Sequence, residues 1–331
     1  MSAAHPPVKD ALAPFSGEPD AGSANPASDL ILRSSNHVDF HVHKQILAFV
    51  SVFFSDMLAF PAGKAPPTEP ERDGKPVLLL PESDEVLCRL LRLAYPGRSR
   101  EQYSITAADL DSVLAVHEAA QKYQFLDAQQ LIAEMLLDDA LVQCQPHRLF
   151  TIGLLRNLPA LTQKAALQTL RLPVCPLHLD FPELQLITGA NLQRLYAFHR
   201  SCGAQASEVL QGVILPQHKM DISRLVDCLT YNEDGDSIPY VRWAIVHALD
   251  TVTPATWFCT QIDRLTAKVS AVPVGQTVLD GILALDDDVA TMIADCEPCS
   301  RRKNDELEDL AEDLARRINT SHKETVKNWV F

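Results

Sequence analysis

Within Asp29–Phe60 (DLILRSSNHVDFHVHKQILAFVSVFFSDMLAF) the apolar residues change period, and no other stretch restricts the fold so tightly. Leu30, Ile31 and Leu32 form a short apolar run of the kind a buried strand shows. Ser34, Ser35 and Asn36 follow, and their side chains can hydrogen-bond their own backbone, which favours a turn. Val38, Phe40 and Val42 then alternate with Asp39, His41 and His43, the period of a strand with one solvated face. From Lys44 the spacing lengthens: Ile46, Leu47, Val50, Phe53, Phe54, Met57 and Leu58 recur every three or four residues and share one face of a helix. Pro61, with no amide hydrogen to donate, is the latest point at which that helix can end. The stretch therefore reads as a β-hairpin feeding directly into a helix.

Downstream, Pro61 to Pro76 holds Pro66, Pro67, Pro70 and Gly74 and reads as a long solvated loop. Val77–Leu80 is a second buried strand, after which Ser83 is placed to cap a helix carrying Val86, Leu87, Leu90, Leu91 and Ala94 on its buried face. Tyr95-Pro96-Gly97 closes that helix, because the residue before proline is pushed out of the helical region. Ile105 begins a short extended segment, and Thr106 caps a helix with Leu110, Val113, Leu114, His117 and Ala120 on one side. A bend at Gln124–Leu126 leads to a last helix with Leu131, Ile132, Met135 and Leu136. The order β-β-α, loop, β-α-α-α predicts a small sheet capped by a helical cluster, an α+β domain.

Beyond Leu141 the strand signals fade. Helices are expected over His147–Arg156, Leu161–Leu172, Glu183–Leu210, Ser223–Leu229, Pro239–Leu249, from Thr253-Pro254 through Trp257 to Leu265, and over Val278–Ile293. The clearest is Asn304–Ile318, with Asn304 as cap, acidic residues early and Arg316 and Arg317 late, matching the helix dipole. Glu312–Arg316 and Asp313–Arg317 add pairs at four-residue spacing. Residues 1–27 are rich in Ala, Pro, Ser and Gly and read as a disordered tail. The expected organisation is a tail at 1–27, an α+β domain at 28–140 and an all-helical region at 141–331.

A net charge of −14 and a pI near 5.2 argue against a protein that wraps nucleic acid or lies on anionic lipid, since both require a basic face. The sequence holds no apolar run long enough to span a membrane, and no charged-then-apolar leader opens it. The eight cysteines are too sparse for a disulfide scaffold and read as reduced thiols of a cytoplasmic or nuclear protein.

The first domain resembles the BTB/POZ family over about Asp29–Leu137. The resemblance is carried by Asp29-Leu30-Ile31-Leu32, by Phe40-His41-Val42-His43-Lys44, and by Ile46-Leu47-Ala48 with Ser51, Phe53 and Phe54. Leu91–Tyr95 with Pro96-Gly97, Thr106–Leu110 and Ala119–Tyr123 extend it. The layout, one such domain plus a helical remainder, is similar to BTB proteins abundant in mushroom-forming fungi. The resemblance implies a non-enzymatic adaptor with protein partners: a homodimer, a cullin scaffold of ubiquitin ligases, or transcriptional repressors. No cofactor is expected, and the acidic charge and the lack of a long apolar run argue against direct contact with nucleic acid or membrane. The resemblance places Asp29 and Lys44 in a charged pocket at the dimer interface. The apolar face expected to be buried there carries Ile46, Leu47, Phe53 and Phe54. Swapped dimers of the family use a helix and strand ahead of the hairpin; here that region reads as tail, so neither is expected.

Other candidate chemistry is thinner. Cys296-Glu297-Pro298-Cys299 could supply two metal ligands or a redox pair, with Cys259 and His247 as helpers, and a metal-binding or enzymatic helical region using Cys259, Cys296 and Cys299 is the alternative function. No second Cys pair and no βαβ setting accompanies it, so buried or loop thiols are the simpler reading. His37, His41 and His43 cluster at the hairpin without a completing ligand and read as structural. Asn232–Ser237 fails the calcium-loop spacing, because Gly235 falls fourth and Trp243 twelfth. The Leu307, Leu310, Leu314 and Ile318 stripe, and the apolar end Val326, Trp329, Val330 and Phe331, are expected to pack on their own domain.

Overall fold

The computed structural model describes residues 7–17, 27–59, 71–95, 109–173, 179–214, 245–246, 251–252, 256–283, 287, 290–291 and 297–331. They fall into two compact units, Met1–Cys144 and Gln145–Phe331.

The first unit is α+β. Strands β2 (Leu30–Arg33) and β3 (Val38–Val42) form the expected antiparallel hairpin, with Leu32 opposite Phe40 and Arg33 opposite Asp39. Strand β5 (Lys75–Leu79) joins β2 in parallel, and with β1 (Lys9–Asp10) and β4 (Glu71–Arg72) a five-stranded sheet results in the order β1-β3-β2-β5-β4. Helices α1 (Lys44–Val50), α2 (Val52–Ala59), α3 (Asp84–Ala94), α4 (Leu110–Lys122), α5 (Leu126–Leu136) and α6 (Asp139–Cys144) complete the unit. Ser83 caps α3 as its position predicts, its hydroxyl accepting from the Val86 amide. Leu87, Leu90 and Leu91 of α3 and Leu110, Val113, Leu114, His117 and Ala120 of α4 are buried, as their spacing requires.

Four expectations are corrected here. The supposed tail contains β1 (Lys9–Asp10), which pairs with β3 in parallel, and Phe15, which is buried. The segment is ordered by pairing to a sheet edge and by one aromatic anchor rather than by any apolar period. The supposed loop to Pro76 ends in a hairpin: β4 (Glu71–Arg72) pairs with β5 around Asp73 and Gly74, whose φ values of 55° and 71° suit a two-residue turn. The single helix after the hairpin is two helices, broken at Ser51, which is extended at φ −138° and accepts a hydrogen bond from the Phe54 amide at the start of α2 (3.0 Å). The solvated face of β3 is in fact covered, with Asp39 and His41 both buried beside arginines and the N-terminal segment. Ile105, Thr106 and the prolines at 61, 66, 67 and 70 lie outside the described residues.

The second unit is helical: α7 (Pro146–Leu155), α8 (Pro159–Thr169), a 3-10 turn (Pro182–Leu186), α9 (Gly189–Ile214), α10 (Thr256–Ala271), α11 (Gly275–Leu283) and α12 (Glu297–Asn328). Helix α7 packs on α8, α9 on α10, and α12 on α8, α9 and α11. Asn304 lies inside α12 rather than capping it, because the charged run ahead of it continues the helix to Glu297. Asp313 pairs with both Arg316 and Arg317, the latter at 2.7 Å. Within the expected helix at Pro239–Leu249, Ile245–Val246 instead pairs with Thr251–Val252 as strands β6 and β7, in keeping with their β-branched side chains. Ser223–Leu229 and the Asn232–Ser237 run lie outside the described residues. Leu310, Leu314 and Ile318 are buried, and the apolar end docks internally: Trp329 packs on Phe198 at 5.5 Å, and Phe331 on Phe150 at 5.2 Å and on Phe198 at 5.4 Å.

Candidate interaction surface

A helix leaves its first backbone amides without internal partners, and α1 draws partners from distant positions. The His43 amide donates to the Tyr95 hydroxyl (2.9 Å) and the Lys44 amide to the Asp29 carboxylate (2.8 Å). Asp29 and Lys44 are thus brought together, with the carboxylate holding the backbone of Lys44 where the helix dipole favours negative charge. Burial pushes the Tyr95 hydroxyl up to about 12, with the Asp29 carboxylate adding to the rise and the His43 amide opposing it. Tyr95 therefore stays a neutral hydroxyl at this helix start. The His43 ring sits 6.1 Å from that of Tyr95, a packing role.

The junction of α1 and α2 is tied to the end of α4. The Ser51 hydroxyl donates to the Tyr123 carbonyl (2.6 Å), and Phe54 stacks on Tyr123 at 5.6 Å and tilts against Phe125 at 5.8 Å. The Tyr123 hydroxyl in turn donates to Glu82 (2.5 Å), which also receives Lys122 (2.8 Å). Burial first, then the hydrogen bond and charge of Glu82, raise the Tyr123 hydroxyl far above its usual range.

This anchoring sorts the expected interface residues. Leu47 and Phe54 are buried core residues and offer nothing to a partner, the Phe54 ring being stacked on Tyr123 and tilted against Phe125. Ile46 is half-buried. Phe53 stays 36% exposed, edge-on to Phe54 and Tyr123. Two residues outside the expected set are more open: Phe49 is 88% exposed and Val52 47%. Their signal in the sequence is that they are apolar yet fall off the buried stripe. Phe49, Val52 and Phe53 thus lie exposed within five positions of the chain, on either side of the break at Ser51.

On the sheet, Arg33 donates to Asp39 through Nε (2.6 Å) and Nη2 (2.8 Å), and Arg72 Nη1 donates to the same carboxylate (2.6 Å). Burial alone would raise Asp39, but the hydrogen bonds and charges of the two guanidiniums outweigh it and hold the carboxyl below its usual range.

Cys259 and Cys299 lie in α10 and α12 where only the backbone is described, and Cys296 is outside the described residues. Among the described residues no group of three or more His, Cys, Asp or Glu could hold a metal ion, and no helix is long and apolar enough to cross a membrane. Cys88, Cys144 and Cys202 are free thiols, and burial pushes Cys202 up to about 12.

The family model of the BTB/POZ domain matches residues 23–140. No curated protein matches the chain. The matched residues build the hairpin, β4, β5 and helices α1 to α5, whereas β1 lies ahead of them: residues 23–140 of the chain form a BTB/POZ domain.

Proposed function

We propose that this protein acts by binding other proteins, without catalysis, and that its BTB/POZ domain self-associates through the face carrying Phe49, Val52 and Phe53. Such domains are interaction modules rather than enzymes as a rule. The observation that carries the finer reading is the 88% exposure of Phe49 beside Val52 and Phe53. Burying a phenylalanine contributes about 1.5–3 kcal/mol, so aromatic residues left open on a rigid support favour a partner that covers them. Asp29 and Lys44, at the first turn of α1, supply polar groups on the same pair of helices, where a rim charge would set specificity and register. The site of action we propose is the cytoplasm or nucleus, in keeping with the free thiols at Cys88, Cys144 and Cys202.

An adaptor role follows if one face binds a scaffold while the helical unit engages a target. Capture on an immobilised cullin scaffold tests the ligase version; no retention at micromolar protein removes it and leaves self-association standing. Light scattering on the full chain tests self-association itself, with a Phe49→Lys variant expected to shift the assembly toward the single chain.

A further inference from the structure

The segment ahead of the hairpin lies on the sheet edge as a bound peptide would. Its backbone follows β3 in parallel: the Lys9 amide donates to His37 O (3.0 Å), the Ala11 amide to Asp39 O (2.8 Å), and the His41 amide to Phe15 O (3.0 Å). Asp10 meets Arg72 Nη1 at 2.8 Å and His41 Nε2 at 3.2 Å. Phe15 is buried, its ring edge-on to Tyr95 at 5.2 Å and tilted against Phe40 at 6.2 Å. A Cβ on Gly17 would fall 2.8 Å from the His41 ring, so a larger residue there must displace the imidazole. Main-chain pairing for affinity with spaced side-chain anchors for specificity is the logic of strand addition to a sheet edge.

The charges fit the same reading. Asp10 is one of three carboxylates on Arg72, beside the buried Asp39 and the exposed Asp73 at 3.6 Å, and an incoming acid would take over that one ion pair. The hold is light. Strand β1 has two residues, both exposed, and the Asp10–Arg72 pair is open to solvent, where ion pairs contribute little. Release of the segment leaves the β2–β3 and β2–β5 ladders paired.

We infer that the β3 edge is a peptide-docking site that residues 9–17 hold closed, and that its other occupant is an extended segment of a partner protein. That segment runs parallel to β3, with an acidic residue five places before an aromatic ring and a glycine two places after the ring. The inference is independent of self-association through α1 and α2.

The test uses a fluorescent peptide with the sequence of residues 7–17, titrated with the full chain and with its Asp10→Ala/Phe15→Ala variant. The variant should bind about tenfold or more tightly than the parent, because its own segment no longer competes. A scrambled peptide should not bind, and Arg72→Glu added to the variant should abolish binding. A variant with the parent's circular dichroism spectrum that binds no better than the parent overturns the inference. If the variant does not fold, hydrogen exchange on the parent decides. The Ala11 and His41 amides should exchange about tenfold or more faster than those pairing β2 with β3, and equal rates would mean that the segment leaves only on global unfolding. A concentration-dependent dimer that the free peptide dissociates would assign the edge to a second copy and overturn the partner version.

Discussion

Asp39 shows how much of this domain depends on single side chains. It has no exposed surface, and two guanidiniums satisfy it from β2 and β4. Asp39→Asn would keep the shape but take the carboxylate from the partly buried Arg33, while Arg72 keeps Asp10, at a cost of about 3 kcal/mol measured by denaturant unfolding. Its folded-state pKa lies below the unfolded value, so its contribution is present above the ordinary carboxylate range and is lost as pH falls through the folded value. The buried histidines of the helical unit act in a higher window. Burial first, then the neighbouring His199, lowers His147 to about 4, and burial also lowers His199 and His322. The unfolded chain takes up these protons first, below about 6.5. Stability is therefore full above that pH and should fall between it and about 4, by roughly 1.4 kcal/mol per pH unit for His147, with His199 and His322 acting in the same direction. Urea unfolding from pH 7 to 4.5 would show the slope, and His147→Phe should flatten it; an unchanged slope in that variant would contradict the assignment.

At the scale of elements, the hairpin and the caps of α3 were legible because each depends on neighbours in sequence. Leu30–Leu32, the Ser-Ser-Asn turn and the alternation from Val38 are local signals, and so is Ser83. The break at Ser51 was not, since the apolar spacing runs through it unchanged and the hydroxyl that accepts from the Phe54 amide also donates to Tyr123 O, far along the chain. Asp73-Gly74 was a legible turn hidden among prolines. Strand β1 and Phe15 carry no period at all, and what orders them is the far side of the sheet. Of the expected interface set only Phe53 is an exposed apolar residue, because a stripe of apolar residues marks the core before it marks a surface. Close helix packing gives a further test. A Cβ on Gly203 of α9 would sit 2.7 Å from the Ser270 carbonyl oxygen of α10, so Gly203→Ala should destabilise the helical unit by about 1–2 kcal/mol despite alanine's better helix propensity. Thermal unfolding checks it, and an unchanged midpoint would show that the two helices separate without cost.

For the whole molecule, two compact units divide the work: a BTB/POZ domain presents an apolar helical face, and a helical unit buries its own apolar end against Phe150 and Phe198. The helical unit thereby closes one hydrophobic surface internally, while Phe49, Val52 and Phe53 remain open. A Phe49→Lys substitution, which changes no core contact, should weaken self-association by about 2 kcal/mol, roughly thirtyfold in dissociation constant, and leave the unfolding midpoint in place. The most direct measurement is the mass of the full chain in solution by light scattering coupled to size exclusion, at tens of micromolar. The expected mass is twice the 36.6 kDa of one chain, falling toward one chain in the Phe49→Lys variant; a parent that stays at 36.6 kDa across that range would rule out self-association through this face.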